Sequence, residues 1–487
     1  MTFNSFEFIF LFLPFTWAVY TLLIRRTSII MAQGWLVACN LFFYGYCNPL
    51  ILPFLLVSIV VNYLTGRALC AGPGTVKRLP RGVMLGVGLA FNIVYLGYFK
   101  YANFFILNIN TISGAELNPL QILLPLGISF FTFQQISFLV DTYRGKVEEK
   151  SFLSYLLFVS FFPYISSGPI TRHGEIMPQH AETRNRSIDH ANVSAGILLF
   201  SIGLFKKTMI ADNLALWANQ GFDAARSLDL FEAWFTSLSF TFQLYFDFSG
   251  YTDMAIGAAL LFNLKLPINF DSPYKSLSIQ EFWRRWHITL SRFLRDYIYI
   301  PLGGNRASEF RVCFNIIITF LIGGIWHGAG WTFVLWGIAH GIALVIQRLW
   351  NKTGIKLNHF LKWFITFNFV NAAWVLFRAR GLDDAIKVYS GMIGLNGVML
   401  SDKLAGSAML RWLGIEFVKW PVNISKNLYY IIYLLVAAAI ISFCAKNSQY
   451  LVERFRPNWK WFLFTVLLLG MGLVHTTRIS NFLYVNF

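Results

Sequence analysis

A histidine lies inside a long stretch of the chain that carries no charged side chain. The 36 residues from Val312 to Gln347 contain no Asp, Glu, Lys or Arg, and His327 falls among them. Imidazole, with an ordinary pKa of about 6.5, suits proton transfer near neutral pH. Four glycines around it permit close helix approach or a substrate path: Gly323, Gly324, Gly328 and Gly330. His327 is therefore a candidate catalytic base, and the alternative is a packing histidine that is hydrogen-bonded between helices.

Three further histidines are candidates for a catalytic or a packing role. His287 lies 40 residues before His327, so a shared site requires the two segments to fold against each other. His287 either takes part in catalysis, directly or by orienting another group, or it anchors its own helix. His340 and His475 also lie in apolar runs, and for both we favour a packing role.

Two acidic residues are isolated in another apolar region. Asp247 and Asp253 are the only charges between Glu232 and Lys265. A charge in such a setting is expected to pair or to accept hydrogen bonds inside a helix bundle. Either residue could orient a histidine or the acceptor, although the structural role is favoured.

The segment from Ser278 to Arg306 has the periodicity of an amphipathic helix. At 100° per residue, one side of this helix carries Trp283, Trp286, Leu290, Phe293, Leu294 and Tyr297. The other side carries Arg284, Arg285, Arg292 and Arg295. This pattern predicts a helix at the membrane surface. His287 falls beside its apolar side, turned toward protein or lipid.

The amino-acid composition of the chain indicates that lipid, rather than water, surrounds most of it. Only 13% of the 487 residues are charged and 56% are hydrophobic, whereas soluble domains have about 25% charged residues. Spanning helices need about 20 apolar residues each, and such segments begin near residues 3, 29, 50, 83, 120, 152, 192, 231, 312, 331, 360, 428 and 459. We predict an all-α polytopic membrane protein with about 11–13 spanning or re-entrant helices plus amphipathic surface helices. We predict a single domain over residues 1–487, with the candidate catalytic motifs in 243–345.

The net charge of +17 does not indicate nucleic-acid binding, because the cations lie in short connectors between apolar runs. The positive-inside rule predicts that the connectors after the first and third apolar runs are cytoplasmic. Their cations are Arg25 and Arg26, then Arg67, Lys77, Arg78 and Arg81. The N-terminus then lies outside the cytoplasm, and Met1 to Tyr20 form a retained first helix rather than a signal peptide. The five scattered cysteines indicate neither a disulfide nor a metal site.

Long ordered motifs cover nearly the whole chain. EFWRRWHITLSRFLRDYIYIPLGGNR at Glu281 to Arg306 is followed by GGIWHGAGWTFVLWGIAHG at Gly323 to Gly341. Further motifs are ISFFTFQQISFLVDTYRG at Ile128 to Gly145, LFKKTMIADNLA at Leu204 to Ala215 and QLYFDFSGYTDMAIG at Gln243 to Gly257. Together they resemble the membrane-bound O-acyltransferase superfamily, and within it the branch that O-acetylates bacterial alginate.

The resemblance implies an enzyme of the bacterial inner membrane that passes an acetyl group from a cytoplasmic donor to an extracytoplasmic polysaccharide. Acetyl-CoA is the expected donor substrate, and no cofactor is expected to stay bound. His327 would act as general base with His287 assisting, and a periplasmic acetyltransferase is the expected partner. Arg284, Arg285, Arg292 and Arg295 either hold the phosphates of the donor or reach toward anionic lipid headgroups.

Two alternatives remain open. The same fold serves teichoic-acid D-alanylation and peptidoglycan O-acetylation, which differ in the acyl group or the acceptor. A transporter or lipid flippase is the other class, but such proteins often carry charges in both halves of the chain. No glycine-rich phosphate loop or Gly-x-Ser-x-Gly elbow stands out.

Overall fold

Helices make up nearly all of the regular structure. The computed structural model describes residues 1–70, 80–181, 187–401, 416–418, 421, 428–476 and 482–483. Lys77 and Arg78, two of the predicted cytoplasmic cations, lie outside these residues, and the predicted orientation in the membrane stays a prediction. The predicted all-α polytopic fold is confirmed.

The α-helices of the described residues are α1 (Leu13–Arg26), α2 (Ile29–Gly45), α3 (Leu52–Cys70), α4 (Arg81–Leu96), α5 (Ala102–Ser113), α6 (Ile128–Tyr143), α7 (Phe152–Ser160), α8 (His173–Ala181), α9 (His190–Phe205), α10 (Asp212–Asn219), α11 (Leu230–Leu261), α12 (Ile279–Arg285), α13 (Ile288–Leu294), α14 (Glu309–His327), α15 (Trp331–Thr353), α16 (His359–Arg378), α17 (Leu382–Met392), α18 (Leu428–Phe443), α19 (Ser448–Glu453) and α20 (Trp459–His475). Shorter π-helical turns are Glu7–Phe12, Gly97–Tyr101, Lys206–Ala211, Gln220–Ala224 and Arg295–Tyr299, and 3₁₀ turns are Pro49–Ile51 and Pro273–Lys275. Strands β1 (Met399–Ser401) and β2 (Glu416–Val418) pair in parallel, with Met399 opposite Glu416.

By length and hydropathy, seven helical stretches of the described chain can cross a membrane. They are Glu7–Arg26, Pro49–Cys70, Arg81–Ser113, His190–Ala224, Glu309–His327, Trp331–Thr353 and His359–Arg378. Three shorter apolar helices are Ile29–Gly45, Tyr430–Phe443 and Trp459–His475. The segment expected near residue 120 is irregular, and its helix, α6, begins only at Ile128. The predicted segment near 152 is the nine-residue α7.

The helices cluster into two compact units. Unit 1 comprises Met1–Leu204, Tyr251–Asn269 and Val452–Phe487, and unit 2 comprises Phe205–Gly250 and Phe270–Leu451. The core of unit 1 is rich in packed aromatic rings; for example, Phe12 meets Phe162 edge-on at 5.3 Å between ring centroids. The prediction of a single domain over residues 1–487 stays a prediction.

In unit 2, α14 and α15 form a closely packed antiparallel hairpin. Helix α14 ends at His327 because Gly328 is extended, and α15 begins after Gly330. A Cβ at Gly324 would lie 2.4 Å from the carbonyl oxygen of Phe333 and 3.0 Å from the Cα of Gly337. The glycines therefore bring two helix backbones together next to His327, as the sequence indicated.

The segment from Ser278 to Arg306 is not one helix, so the prediction of a continuous amphipathic helix is wrong. Helix α12 starts at the N-cap Ser278 and stops at Arg285, Trp286 is extended, and His287 has a φ of 42° before α13 begins. The apolar side is buried in protein, as Trp286 and Phe293 show with exposed fractions of 1% and 4%. The break turns the two short helices so that the apolar rings pack inward instead of facing lipid.

The close approach of Gly324 to α15 leads to a testable prediction for the stability of the protein. Replacing Gly324 by Ala should lower the free energy of unfolding by about 1–3 kcal/mol, because the added methyl group forces α14 and α15 apart. Thermal unfolding of the purified protein in detergent measures the change. Gly86→Ala in α4 is the matched control, since no atom lies within 4 Å of its added Cβ. An unchanged unfolding temperature in Gly324→Ala would contradict the close approach.

Candidate active site

The two histidines singled out by the sequence lie together in unit 2. The ring centroids of His287 and His327 are 6.4 Å apart. Their exposed fractions are 0% and 3%. The indole of Trp326 contacts both rings, at 6.0 Å from His287 and 4.9 Å from His327. The predicted shared site therefore has the required geometry, although the catalytic roles themselves stay predictions.

His327 ends a helix in an aromatic environment. Helix α14 is unbroken from Glu309, so His327 lies roughly 27 Å along its axis. The His327 ring meets the edges of Trp336, from α15, at 5.0 Å and Phe377, from α16, at 5.1 Å. Three helices thus surround the imidazole with apolar rings that strengthen electrostatic interactions beside it.

His287 adopts a backbone conformation that few side chains favour. Its φ of 42° and ψ of 55° are left-handed, which costs energy in a residue other than Gly, Asn or Asp. The ring packs edge-on against Phe248 of α11 at 4.8 Å. Burial lowers the pKa of His287 to about 3, so the imidazole is neutral at physiological pH. A neutral ring suits an orienting or hydrogen-bonding role better than the storage of a proton.

The other two histidines differ from this pair. His340 is fully buried in α15, and its Nδ1 accepts a hydrogen bond of 3.2 Å from the indole N–H of Trp283. His475 lies at the end of α20 in unit 1, with Nδ1 at 3.1 Å from the carbonyl oxygen of Met471 in its own helix. The packing roles that the sequence favoured for these two histidines stay predictions.

Asp247 forms the interior ion pair that its apolar setting predicted. Lys207 donates to its carboxylate at 2.6 Å and also contacts Asp212 at 2.8 Å. The sequence analysis overlooked Lys207, although its place in the apolar motif LFKKTMIADNLA was the available signal. Asp253 is buried in unit 1, whereas the paired histidines belong to unit 2. The orienting role of both aspartates stays a prediction.

A cavity of about 800 Å³ lies at the other end of the α14–α15 hairpin from His327. Of the residues that the structure describes, five cations and no carboxylate line it: Arg284, Arg292, Arg295, Arg348 and Lys352. Its apolar wall includes Trp283 and Phe320, which meet edge-on at 5.0 Å. Trp283 also contacts Trp336 at 5.8 Å, and Trp336 contacts His327. A chain of rings thus connects the cationic cavity with the histidine pair.

The structure divides the four predicted arginines. Arg284, Arg292 and Arg295 line the cavity, but Arg285 does not. Arg285 instead bonds Glu281 at 3.0 Å and Asp271 at 3.4 Å. Inclusion of Arg285 therefore lacks support from the geometry, because its guanidinium pairs with Glu281 and Asp271, neither of which lines the cavity.

Arg348 and Lys352 are cavity cations that the sequence analysis missed. They lie four residues apart near the end of α15, and both pair with Glu309, at 2.7 Å and 2.9 Å. Their i, i+4 spacing was a signal for a shared helix side. That this side meets α12 depends on contacts between distant segments, such as the hydrogen bond from Gln280 N–H to Gln347 Oε1, which no local pattern contains.

Comparison with known proteins gives the same assignment as the motifs. The family model described as the membrane-bound O-acyltransferase family matches residues 89–379. A peptidoglycan O-acetyltransferase of Helicobacter pylori is 46% identical, covering 100% of this chain and 98% of that protein. A probable alginate O-acetylase of Azotobacter vinelandii is 40% identical over 82% of this chain and 80% of its own. A teichoic acid D-alanyltransferase of Streptococcus thermophilus is 30% identical over 55% of this chain.

The match extends through the parts of unit 2 that carry the site. The matched residues 89–379 include His287, His327 and the cavity cations on α12, α13 and α15. Relatives that share at least 38% identity over about four-fifths of this chain or more are named as O-acetyltransferases or probable O-acetylases. The chain belongs to the membrane-bound O-acyltransferase family and is a multi-pass membrane O-acyltransferase.

Proposed function

We propose that the protein takes an acetyl group from acetyl-CoA on the cytoplasmic side of a bacterial inner membrane and passes it to a hydroxyl of an extracytoplasmic glycan. One observation carries the proposal: the buried pair His287–His327 is linked by aromatic rings to a cavity that five cationic side chains line. A base at one end of a helix hairpin and an anion site at the other fit a donor and an acceptor that approach from opposite sides.

His327 acts as the general base in this proposal. It removes the proton of the acceptor hydroxyl as the oxygen attacks the thioester carbonyl, and later returns that proton to the departing thiolate. The neutral ring of His287 stays beside it, at 6.4 Å between centroids, and orients the imidazole or the hydroxyl. Aromatic packing around His327 excludes water, which favours transfer over hydrolysis of the thioester.

The cavity takes the phosphates of the donor. Coenzyme A carries three phosphate groups, and arginine recognises phosphate through charge-assisted hydrogen bonds. The hairpin end that holds the cavity is also rich in cations, among them Arg306, Arg311 and Lys356. By the positive-inside rule, this end lies at the cytoplasm, where acetyl-CoA is made.

Peptidoglycan is the acceptor we propose first. The relative named peptidoglycan O-acetyltransferase matches the whole chain, whereas the relatives named as probable alginate O-acetylases match 82–86% of it. An alginate-like polysaccharide is the second candidate, at 36–40% identity. A periplasmic acetyltransferase is the proposed partner, which would receive the acetyl group on its own hydroxyl before the glycan does.

The acceptor is tested in cells and in vesicles. Deleting the gene should remove the ester-linked acetyl groups of peptidoglycan, and the wild-type gene should restore them. Vesicles that hold the protein and its partner should move label from acetyl-CoA to peptidoglycan, but none from a D-alanyl carrier protein. Loss of acetyl from an exported polysaccharide alone would select the second candidate. Transfer of D-alanine, or of no acyl group, would contradict the proposal.

The donor site has its own prediction. Replacing Arg292 or Arg295 by Gln should raise the KM for acetyl-CoA by about tenfold, because each change removes a charged hydrogen bond to phosphate. The matched control is Arg285→Gln, which removes an arginine of the same motif that does not line the cavity. Steady-state kinetics in neutral-lipid nanodiscs exclude an effect of anionic headgroups. Equal KM values in all three variants and the wild type would show that the arginines only face lipid.

A further inference from the structure

Three nitrogen donors are buried close together on α15 and α16 without an acceptor. Within the described residues, no hydrogen-bond partner is found for Nε1 of Trp336, Nε1 of Trp374 or Nε2 of His340. The exposed fractions of these side chains are 1%, 0% and 0%. Buried donors of this kind are normally satisfied, because leaving them without an acceptor is costly.

The Nε2 of His340 is a hydrogen-bond donor because of the tautomer that the ring adopts. Trp283 donates its indole N–H to Nδ1 of His340 at 3.2 Å. A neutral imidazole that accepts at Nδ1 carries its proton on Nε2. The Nε2–H of His340 therefore joins the two indole N–H groups as a third hydrogen-bond donor.

The three rings form one cluster next to the proposed base. Trp336 lies at 4.8 Å from His340 and 5.8 Å from Trp374, measured between ring centroids. Trp336 also meets His327 at 5.0 Å, and Trp283 connects the cluster with the wall of the cationic cavity. The three rings that carry these N–H groups thus lie between the proposed acetyl-CoA site and the proposed general base.

Among the residues that the structure describes, none accepts a hydrogen bond from these three N–H groups. Attack of an alkoxide on a thioester creates an acceptor, because the carbonyl oxygen becomes negatively charged in the tetrahedral intermediate. Fixed N–H donors in a water-poor site stabilise that charge more strongly than they stabilise the neutral carbonyl, which lowers the barrier. The neutral state of an imidazole donor also avoids a charge beside His327.

We propose that Trp336, Trp374 and His340 form the oxyanion-binding site of the acyl-transfer reaction. This inference rests on the proposed function. His327 removes the hydroxyl proton, the acceptor oxygen bonds to the carbonyl carbon, and the C=O electron pair moves to the oxygen held by the three N–H groups. Collapse restores the C=O bond and breaks the C–S bond, and the thiolate takes the proton from His327. The products are the acetyl ester and the free thiol.

Removing the N–H groups while keeping aromatic rings tests the site. The variants Trp336→Phe and Trp374→Phe should each lower the kcat of acetyl transfer by about 100-fold, the effect of losing one oxyanion donor. The KM for acetyl-CoA should stay within about threefold of wild type, since the ground-state carbonyl gains little from these donors. The measurement uses the full-length protein in nanodiscs with labelled acetyl-CoA.

Trp217 supplies the matched control. Its exposed fraction is 1% and its Nε1 also finds no partner among the described residues, but its ring contact is with Phe235, away from the histidines. Trp217→Phe should keep the wild-type kcat while losing the same volume and the same kind of N–H. Melting temperatures of all variants separate a catalytic loss from a folding defect.

The outcomes are distinct. A large loss of kcat in the double variant Trp336→Phe/Trp374→Phe, at unchanged KM and with an active Trp217→Phe control, supports the oxyanion site. A double variant that keeps its kcat within about threefold overturns it. A kcat loss that the Trp217→Phe variant shares also overturns it, because the effect would then come from packing. If the wild-type protein transfers no acetyl group, the proposed function fails instead.

Discussion

Replacing His327 by Ala lowers the rate of acetyl transfer by about 10²–10⁴-fold, the range that a general base contributes. The reason is the position of the ring: it is buried, it ends α14, and it lies beside the rings of His287 and Trp336. Substitution should leave the cationic cavity intact, because His327 is not among the residues that line it. The KM for acetyl-CoA should therefore change little.

The measurement compares ester-linked acetyl on the exported glycan at matched protein levels. His475→Ala is the control, since His475 also lies in an apolar helix but bonds only its own turn at Met471. Acetylation should persist in that variant and disappear in His327→Ala. Unchanged acetylation in His327→Ala would remove His327 from the mechanism, and an equal loss in both variants would indicate a general effect on folding.

Much of the fold followed from local patterns in the sequence. Apolar length predicted helices such as α14 and α15, and the glycines around His327 predicted their close approach, which Gly324 provides at Phe333 and Gly337. These features depend on residues that are near one another along the chain. Helix periodicity and backbone sterics are local properties, so a sequence alone can report them.

The parts that the sequence did not reveal arise from distant contacts. The amphipathic pattern of the sequence continues through His287, although the helix itself is broken there. A break that depends on packing leaves no trace in the hydrophobic pattern. The pairing of Lys207 with Asp247 joins residues 40 positions apart. The contribution of Arg348 to the cavity likewise depends on how α15 packs against α12. Tertiary structure decides such contacts, and no spacing rule within one helix contains them.

His287→Asn should keep the fold and lower kcat by about 10–100-fold, because Asn adopts the left-handed conformation readily but lacks the imidazole. The φ of 42° makes this the informative substitution. His287→Ala should be about 1 kcal/mol less stable than His287→Asn, because Ala keeps the backbone strain that Asn relieves. The kcat of purified His287→Asn, measured alongside its unfolding temperature, tests whether the ring acts in catalysis. Wild-type kcat in His287→Asn would assign the residue to helix anchoring alone.

The same variant should change how stability responds to acid. In the folded protein the pKa of His287 is lowered to about 3 by burial, whereas in the unfolded chain it returns to about 6.5. Above pH 6.5 both states are neutral at this residue. As the pH falls from 6.5 toward 3, only the unfolded chain binds the proton, so the wild-type protein loses stability. The fall in unfolding temperature between pH 7 and pH 5 should therefore be smaller in His287→Asn. An equal fall in both proteins would mean that water or a carboxylate reaches the imidazole and that the ring is not held neutral beside His327.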